Sequence, residues 1–205
     1  MKWSILGLAV LGVLVAGIDA QAQRRRFEAP YYMRGPSKAI AVLHGLGDNN
    51  VKGVITFTMQ GNTCEVNGEI TGLKPGEHAF HVHEFGDCSS ADGMSAGPHF
   101  NPFNTAHGGP HEGPRHVGDL GNIKADDSGK AVIDIKDTQI KLIGQASIIG
   151  RSLIVHAGVD DFKSQPAGNA GGRIACAVIG FAKSEAMTPT KGPVVAPAGQ
   201  APPQR

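Results

Sequence analysis

Seven of the nine histidines lie between His78 and Asp119, on a stretch that opens like a β-strand and then loses every strand or helix pattern until about Gly118. Residues 85–117 are too long for an ordinary connection inside a compact domain unless something holds them. Clustered imidazoles are a natural holder, because His is a common ligand of structural and catalytic metals. The stretch reads His78-Ala-Phe-His81-Val-His83-Glu-Phe-Gly-Asp-Cys88, then Gly97-Pro-His99-Phe-Asn-Pro, His107-Gly-Gly-Pro and Arg115-His116-Val-Gly-Asp119. It predicts a site for more than one metal.

Around this interval the chain has the pattern of an all-β domain. Segments 38–44, 51–59, 63–71 and 76–84 are short and rich in Val, Ile, Thr and Phe, and breaks such as Gly-Asp-Asn-Asn and Lys-Pro-Gly divide them. Strands resume at about 118–124, 130–135, 148–156 and 172–180. Eight strands with two long loops, 85–117 and 157–171, predict an antiparallel Greek-key barrel or sandwich. The 29 glycines, 13 prolines and 5% aromatic residues suit many short strands and turns better than long helices.

The ends differ from the middle. Met1 to Ala22 has a basic Lys2, an apolar run from Ile5 to Ile18 and an Ala20-Gln21-Ala22 cleavage pattern, which predicts a signal peptide removed after Ala22; an uncleaved anchor is the competing reading. The mature chain then lies outside the cytoplasm, extracellular or periplasmic, without a membrane span. Residues 23–37 form a basic extension, and 183–205, with five prolines in the last seventeen residues, a disordered tail. Residues 38–182 hold 11 Lys+Arg against 15 Asp+Glu, a net of −4, which argues against a nucleic-acid partner. Arg24, Arg25 and Arg26 offer a weak contact for polyanions such as cell-surface glycans, although three charges on a linker are more often simply solvated.

The spacing of the histidines suggests two ligand sets. His81 and His83, two apart on a strand, leave the same face while Phe80 and Val82 leave the other. His156, at the end of strand 148–156 and opposite in face to Leu153 and Val155, supplies a third imidazole from a distant part of the chain. With His99, four nitrogens suit a tetragonal copper site. His107, His116 and Asp119 with His99 suit tetrahedral zinc. Seven residues then fill eight positions if His99 serves both metals through its two nitrogens.

The ordered motifs His81-Val-His83-Glu-Phe-Gly-Asp, Gly97-Pro-His99-Phe-Asn-Pro, His107-Gly-Gly-Pro, Arg115-His116-Val-Gly-Asp119-Leu-Gly-Asn, Val155-His156 and Gly168-Asn-Ala-Gly-Gly-Arg173-Ile-Ala-Cys176 closely resemble the copper/zinc superoxide dismutase family over nearly all of 38–182. The resemblance implies an enzyme that dismutes superoxide to dioxygen and hydrogen peroxide by a ping-pong Cu(II)/Cu(I) cycle, with an imidazolate bridge to zinc. It implies His81, His83, His99 and His156 on copper, His99, His107, His116 and Asp119 on zinc, and Asp160 orienting His81 and His107. It makes Arg173 the holder of the substrate anion, His99 the catalytic proton carrier, and Cys88–Cys176 a disulfide, with Cys64 left free and buried. It also implies a homodimer through Ile149-Gly150-Arg151 and Gly86.

Two departures from the family pattern bear on the substrate path. The loop cysteine is displaced to Cys88 from a place near Gly93. The 157–172 loop is short, lacks the family's acid pair, and carries Pro166 and Ala167 where many relatives carry a lysine and a threonine; Lys163 is the remaining cation there. A copper-delivery protein and a redox-silent zinc module are the competing functions. The full copper set and the lack of a Cys-rich module weigh against the first, and copper-dependent dismutation would exclude the second.

Overall fold

The computed structural model describes residues 36–183 apart from residue 112. The signal, the Arg24–Arg26 cluster and the tail beyond 183 lie outside the described residues. Nine strands follow in order: β1 Lys38–Gly45, β2 Lys52–Gln60, β3 Thr63–Thr71, β4 Gly76–His83, β5 Asp119–Ala125, β6 Ala131–Asp137, β7 Ser152–His156, β8 Arg173–Val178 and the two-residue β9 Gly180–Phe181. Eight of them form the path β5-β4-β7-β8-β1-β2-β3-β6, and β9 pairs with β1. Every strand pairing is antiparallel, and β5 and β6 meet across the ends of the path, so the barrel is nearly closed. No described helix is long and apolar enough to cross a membrane.

Two expected strands are shorter than their sequence pattern. Segment 148–156 is strand only from Ser152, because Ile148 is wholly buried in the barrel core and its apolar character serves packing rather than pairing. The last segment breaks after Val178 into β8 and β9. The connection between β6 and β7 is accordingly a third long one.

Alternation sorts the chemistry of β4. Phe80 and Val82 enter the barrel core with Phe57, Leu120, Leu153 and Val155, while His81 and His83 leave the opposite face. Both faces are nevertheless buried, because the β4–β5 and β7–β8 connections fold over the histidine side. A small second core of Leu46, Ala96, Ile154 and Cys176, with Cys88 packed on it, lies on that outer face. There Cys88 and Cys176, 88 positions apart in sequence, form a disulfide with Cα atoms 5.8 Å apart. It fastens the β4–β5 connection to β8, and in the chain-entropy treatment a loop of that size contributes about 4–5 kcal/mol. Cys64 is the free thiol; burial, aided by Asp137, pushes it up to about 12, so it is unreactive.

Candidate metal centre

The outer face of β4 and the end of β7 bring His81, His83 and His156 together, and the β4–β5 connection supplies His99. One ring atom from each of these four buried residues lies within 4.8 Å of the others. Their hydrogen bonds fix which atom that is, since a carbonyl or carboxylate oxygen can only accept. His83 Nδ1 donates to Gly97 O at 2.9 Å and His156 Nδ1 to Gly171 O at 3.2 Å. Their Nε2 lone pairs therefore face one another, 3.3 Å apart. His81 Nε2 donates to Asp160 Oδ2 at 2.7 Å, and His99 Nδ1 to Asp119 Oδ1 at 2.8 Å. That leaves His81 Nδ1 and His99 Nε2 buried with no hydrogen-bond partner. Buried polar atoms are rarely left so, and lone pairs pointed at one another call for a cation between them. A four-nitrogen donor set of this kind suits copper.

The second group, His99, His107, His116 and Asp119, meets the same 4.8 Å limit and is buried throughout. His116 Nδ1 lies 3.1 Å from Asp119 Oδ1 and His107 Nδ1 3.1 Å from Asp119 Oδ2. The His107 contact is close but misaligned for a hydrogen bond, and Nδ1 is left unpartnered. Since His107 Nε2 donates to Asp160 Oδ1 at 2.9 Å, the Nδ1 position beside the carboxylate needs a proton or a metal. Asp119 also accepts from the backbone N–H groups of His116 and Gly108. Three imidazoles and one carboxylate fit zinc.

Electrostatics separates the two groups. Burial lowers His83 well below the usual range, and lowers His99 to about 4, against its bond to Asp119, and His156 to about 3. These imidazoles stay neutral and keep a lone pair for a metal. Burial also opposes charge on His107, but the Asp119 and Asp160 carboxylates on either side of the ring prevail and raise it to about 9. Asp119 and Asp160 resist the upward push of burial and sit well below the carboxylate range, because the histidines bond to them.

Asp160 thus joins the groups through a second route, holding His81 and His107 on its two oxygens. Gly168 makes room for it: at φ +66°, a Cβ there would stand 1.9 Å from Asp160 Oδ1 and 2.6 Å from His107 Nε2. A cavity of about 590 Å³ opens over His83, His99 and His156, with Arg173 in its wall. Arg173 donates from Nη1 to Gly93 O at 2.6 Å and from Nη2 to Gly97 O at 2.7 Å. A guanidinium has five N–H groups, so three remain for an anion. Pro166 and Ala167 line the same mouth, as do Glu84 and Asp92. Lys163 is exposed but does not border the cavity.

His81, His83, His99, His107, His116, Asp119, His156, Asp160 and Arg173, all read from the sequence, are brought together here, and the two groups share His99, while Cys88 and Cys176 form the disulfide. Several supporting residues were not anticipated. Arg115, 4% exposed, forms a buried ion pair with Asp137 and donates from Nη1 to His116 O; its place beside a ligand histidine was the available signal. Asn122 donates to Asp160 O and accepts from Asp160 N–H. Gln165 does the same for His107. His78 is structural, with its ring nitrogens 2.8 and 2.9 Å from the carbonyls of His156 and Lys74.

Comparison with known proteins agrees with this geometry. The chain is 51% identical over 150 residues to "Extracellular superoxide dismutase [Cu-Zn]" of Brugia pahangi, covering 69% of this chain and 74% of that one. It is 48% identical over 164 residues to "Superoxide dismutase [Cu-Zn] 3" of Arabidopsis thaliana, covering 77% and 96%. A crystal structure titled as that of "the clock protein EA4" superposes with a TM-score of 0.66 at 48% identity, over 72% of this chain and 96% of that one. Residues 51–179, more than half the chain, match the family model "Copper/zinc superoxide dismutase (SODC)", and with the paired ligand groups already in place the chain belongs to the copper/zinc superoxide dismutase family.

Proposed function

We propose that the four-imidazole group holds the copper and the group with Asp119 the zinc of a superoxide dismutase, and that the cavity beside Arg173 admits the substrate. The chain converts two superoxide anions and two protons into dioxygen and hydrogen peroxide. The observation that carries the residue assignment is the convergence of bare nitrogens, His81 Nδ1, His83 Nε2, His99 Nε2 and His156 Nε2, on one point at the floor of that cavity. Copper, when bound there, would supply a one-electron couple that one superoxide reduces and the next reoxidises, while zinc would supply fixed charge without redox chemistry.

The protein's own groups do the rest. Arg173, anchored by two loop carbonyls, presents its remaining N–H groups to the anion and fixes its approach. His99 Nε2 takes up a proton in one half-reaction and gives it to the peroxide in the other, while Nδ1 stays directed at Asp119. Asp160 keeps the rings of His81 and His107 in one orientation, as carboxylates commonly do for metal-bound histidines.

The chain is proposed to act outside the cytoplasm, after removal of residues 1–22. The disulfide and the relative named extracellular support that reading. The mature chain would carry the basic extension 23–37, the enzyme domain 38–182 and the tail 183–205, with any polyanion contact confined to Arg24–Arg26. A homodimer is proposed through Ile149-Gly150-Arg151 and Gly86. Gly86 packs directly on Gly150, and Phe85 and Val178 are exposed, at 53% and 48%; apolar patches of this kind mark contact surfaces.

Metal content separates the two assignments. His156→Ala should lose copper and keep zinc, His116→Ala should lose zinc preferentially, and His99→Ala should weaken both. Loss of zinc but not copper from His156→Ala would reverse the assignment.

A further inference from the structure

Two side-chain amides grip the backbone of the two residues whose side chains join the metal groups. Asn122 does this for Asp160, accepting from its N–H at 2.8 Å and donating to its carbonyl at 2.9 Å. Gln165 does it for His107, accepting from its N–H at 2.9 Å and donating to its carbonyl at 2.9 Å. His107 and Asp160 are themselves linked through Nε2 and Oδ1, so the four residues make a continuous chain of contacts that joins β5, the β7–β8 connection and the β4–β5 connection.

We infer that Gln165 is a positioning residue for His107, setting the direction of its ring toward the zinc and so the retention of that metal. His107 is 4% exposed and lies in no strand. Among the described residues neither its N–H nor its C=O has a backbone partner. Gln165, from 58 residues away, satisfies both. Without that amide two buried polar backbone groups lose their partners, and the ring relies on its side-chain contacts alone. A single amide is suited to the task because it carries a donor and an acceptor side by side, as the peptide it faces does. The next two residues, Pro166 and Ala167, line the mouth of the substrate cavity, so the same clasp ties the zinc loop to the wall of the copper cavity. It reinforces the short 157–172 loop from within.

The inference rests on His107 being a zinc ligand, and the test separates the two. Zinc release from the fully metallated protein into excess chelator is followed for wild type, Gln165→Met, Gln165→Glu and Lys163→Ala, and visible spectra are recorded with cobalt in place of zinc. Gln165→Met should release zinc about tenfold faster, the scale of one to two lost hydrogen bonds, and should shift the cobalt bands. Gln165→Glu should fall between, since its carboxylate accepts from the N–H but repels the carbonyl; Lys163→Ala should match wild type. Wild-type release or an unshifted cobalt spectrum in Gln165→Met overturns the clasp, as does equal acceleration in Lys163→Ala. A wild-type protein that takes up no zinc overturns the ligand assignment instead.

Discussion

His107 and His99 show how two buried imidazoles in one group acquire opposite tendencies. Carboxylates on both sides raise His107 to about 9, while burial lowers His99 to about 4 and His156 to about 3. The linkage signs differ accordingly. A raised histidine stabilises the metal-free fold fully below its unfolded value of about 6.5 and loses that contribution as pH rises through about 9. Lowered histidines favour the fold above about 6.5 and lose that advantage as pH falls toward 4 and 3. The metal-free protein should therefore be most stable near pH 6.5, as measured by thermal unfolding across pH. Zinc must also displace the His107 proton, so zinc affinity should rise with pH and level off above about 9; titration calorimetry in buffers of different ionisation enthalpy reads that proton. At this scale the clustered histidines were legible because the spacing of His81 and His83 and the Gly/Pro surroundings of the others have few other uses. Asn122 and Gln165 were not, because a lone amide has no period, and its role depends on a backbone group far away in sequence.

Among the elements, the β4–β5 connection shapes the substrate cavity, and its two anchors are the disulfide to β8 and Arg173's bonds to Gly93 and Gly97. Cys88→Ser should cost about 2–5 kcal/mol of stability. It should also lower kcat/KM while copper and zinc content stay near wild type, because the carbonyls that aim Arg173 lie on the loosened segment. Chemical denaturation, metal analysis and steady-state assay together check this. Most strands were legible from their alternation. β4 and β7 are buried on both faces; Phe80, Val82, Leu153 and Val155 fill the core side, and the other side carries His81 and His83 on β4 and Ile154 and His156 on β7. Sequence overextended β7 because Ile148 and Ile149 read as strand residues. Ile148 instead fills the core from a turn, and Arg151 fixes that turn by donating to Glu84 O at 2.6 Å while its guanidinium lies over Phe100.

Over the whole molecule the formal charge is +1, but the excess cations lie outside residues 38–182, so attraction of the substrate must work against the charge of the domain itself. Residues 38–182 carry −4, and the cavity mouth sets Glu84 and Asp92 around a single described cation, Arg173. Local focusing at that guanidinium, in a recess with low-dielectric walls, is the proposed means of overcoming the domain's repulsion. The dismutation rate constant should fall as ionic strength rises, and Asp92→Asn should raise it about twofold at low salt; a rate constant indifferent to salt would contradict focusing. The barrel and both metal groups were legible as a whole because their motifs recur in a fixed order along 38–182. The chain of contacts through Asn122, Asp160, His107 and Gln165 was not, since it exists only once three distant segments have met. The central claim is that this chain of contacts and the shared His99 assemble a working pair of metal sites. Its most direct test is the decay of pulse-generated superoxide with purified protein carrying one copper and one zinc per chain. Superoxide dismutases are a standard example of catalysis near the diffusional ceiling of about 10⁸–10⁹ M⁻¹s⁻¹. A rate constant approaching that range, lost when copper is withheld, is the expected result; decay at the uncatalysed rate with both metals bound would contradict it.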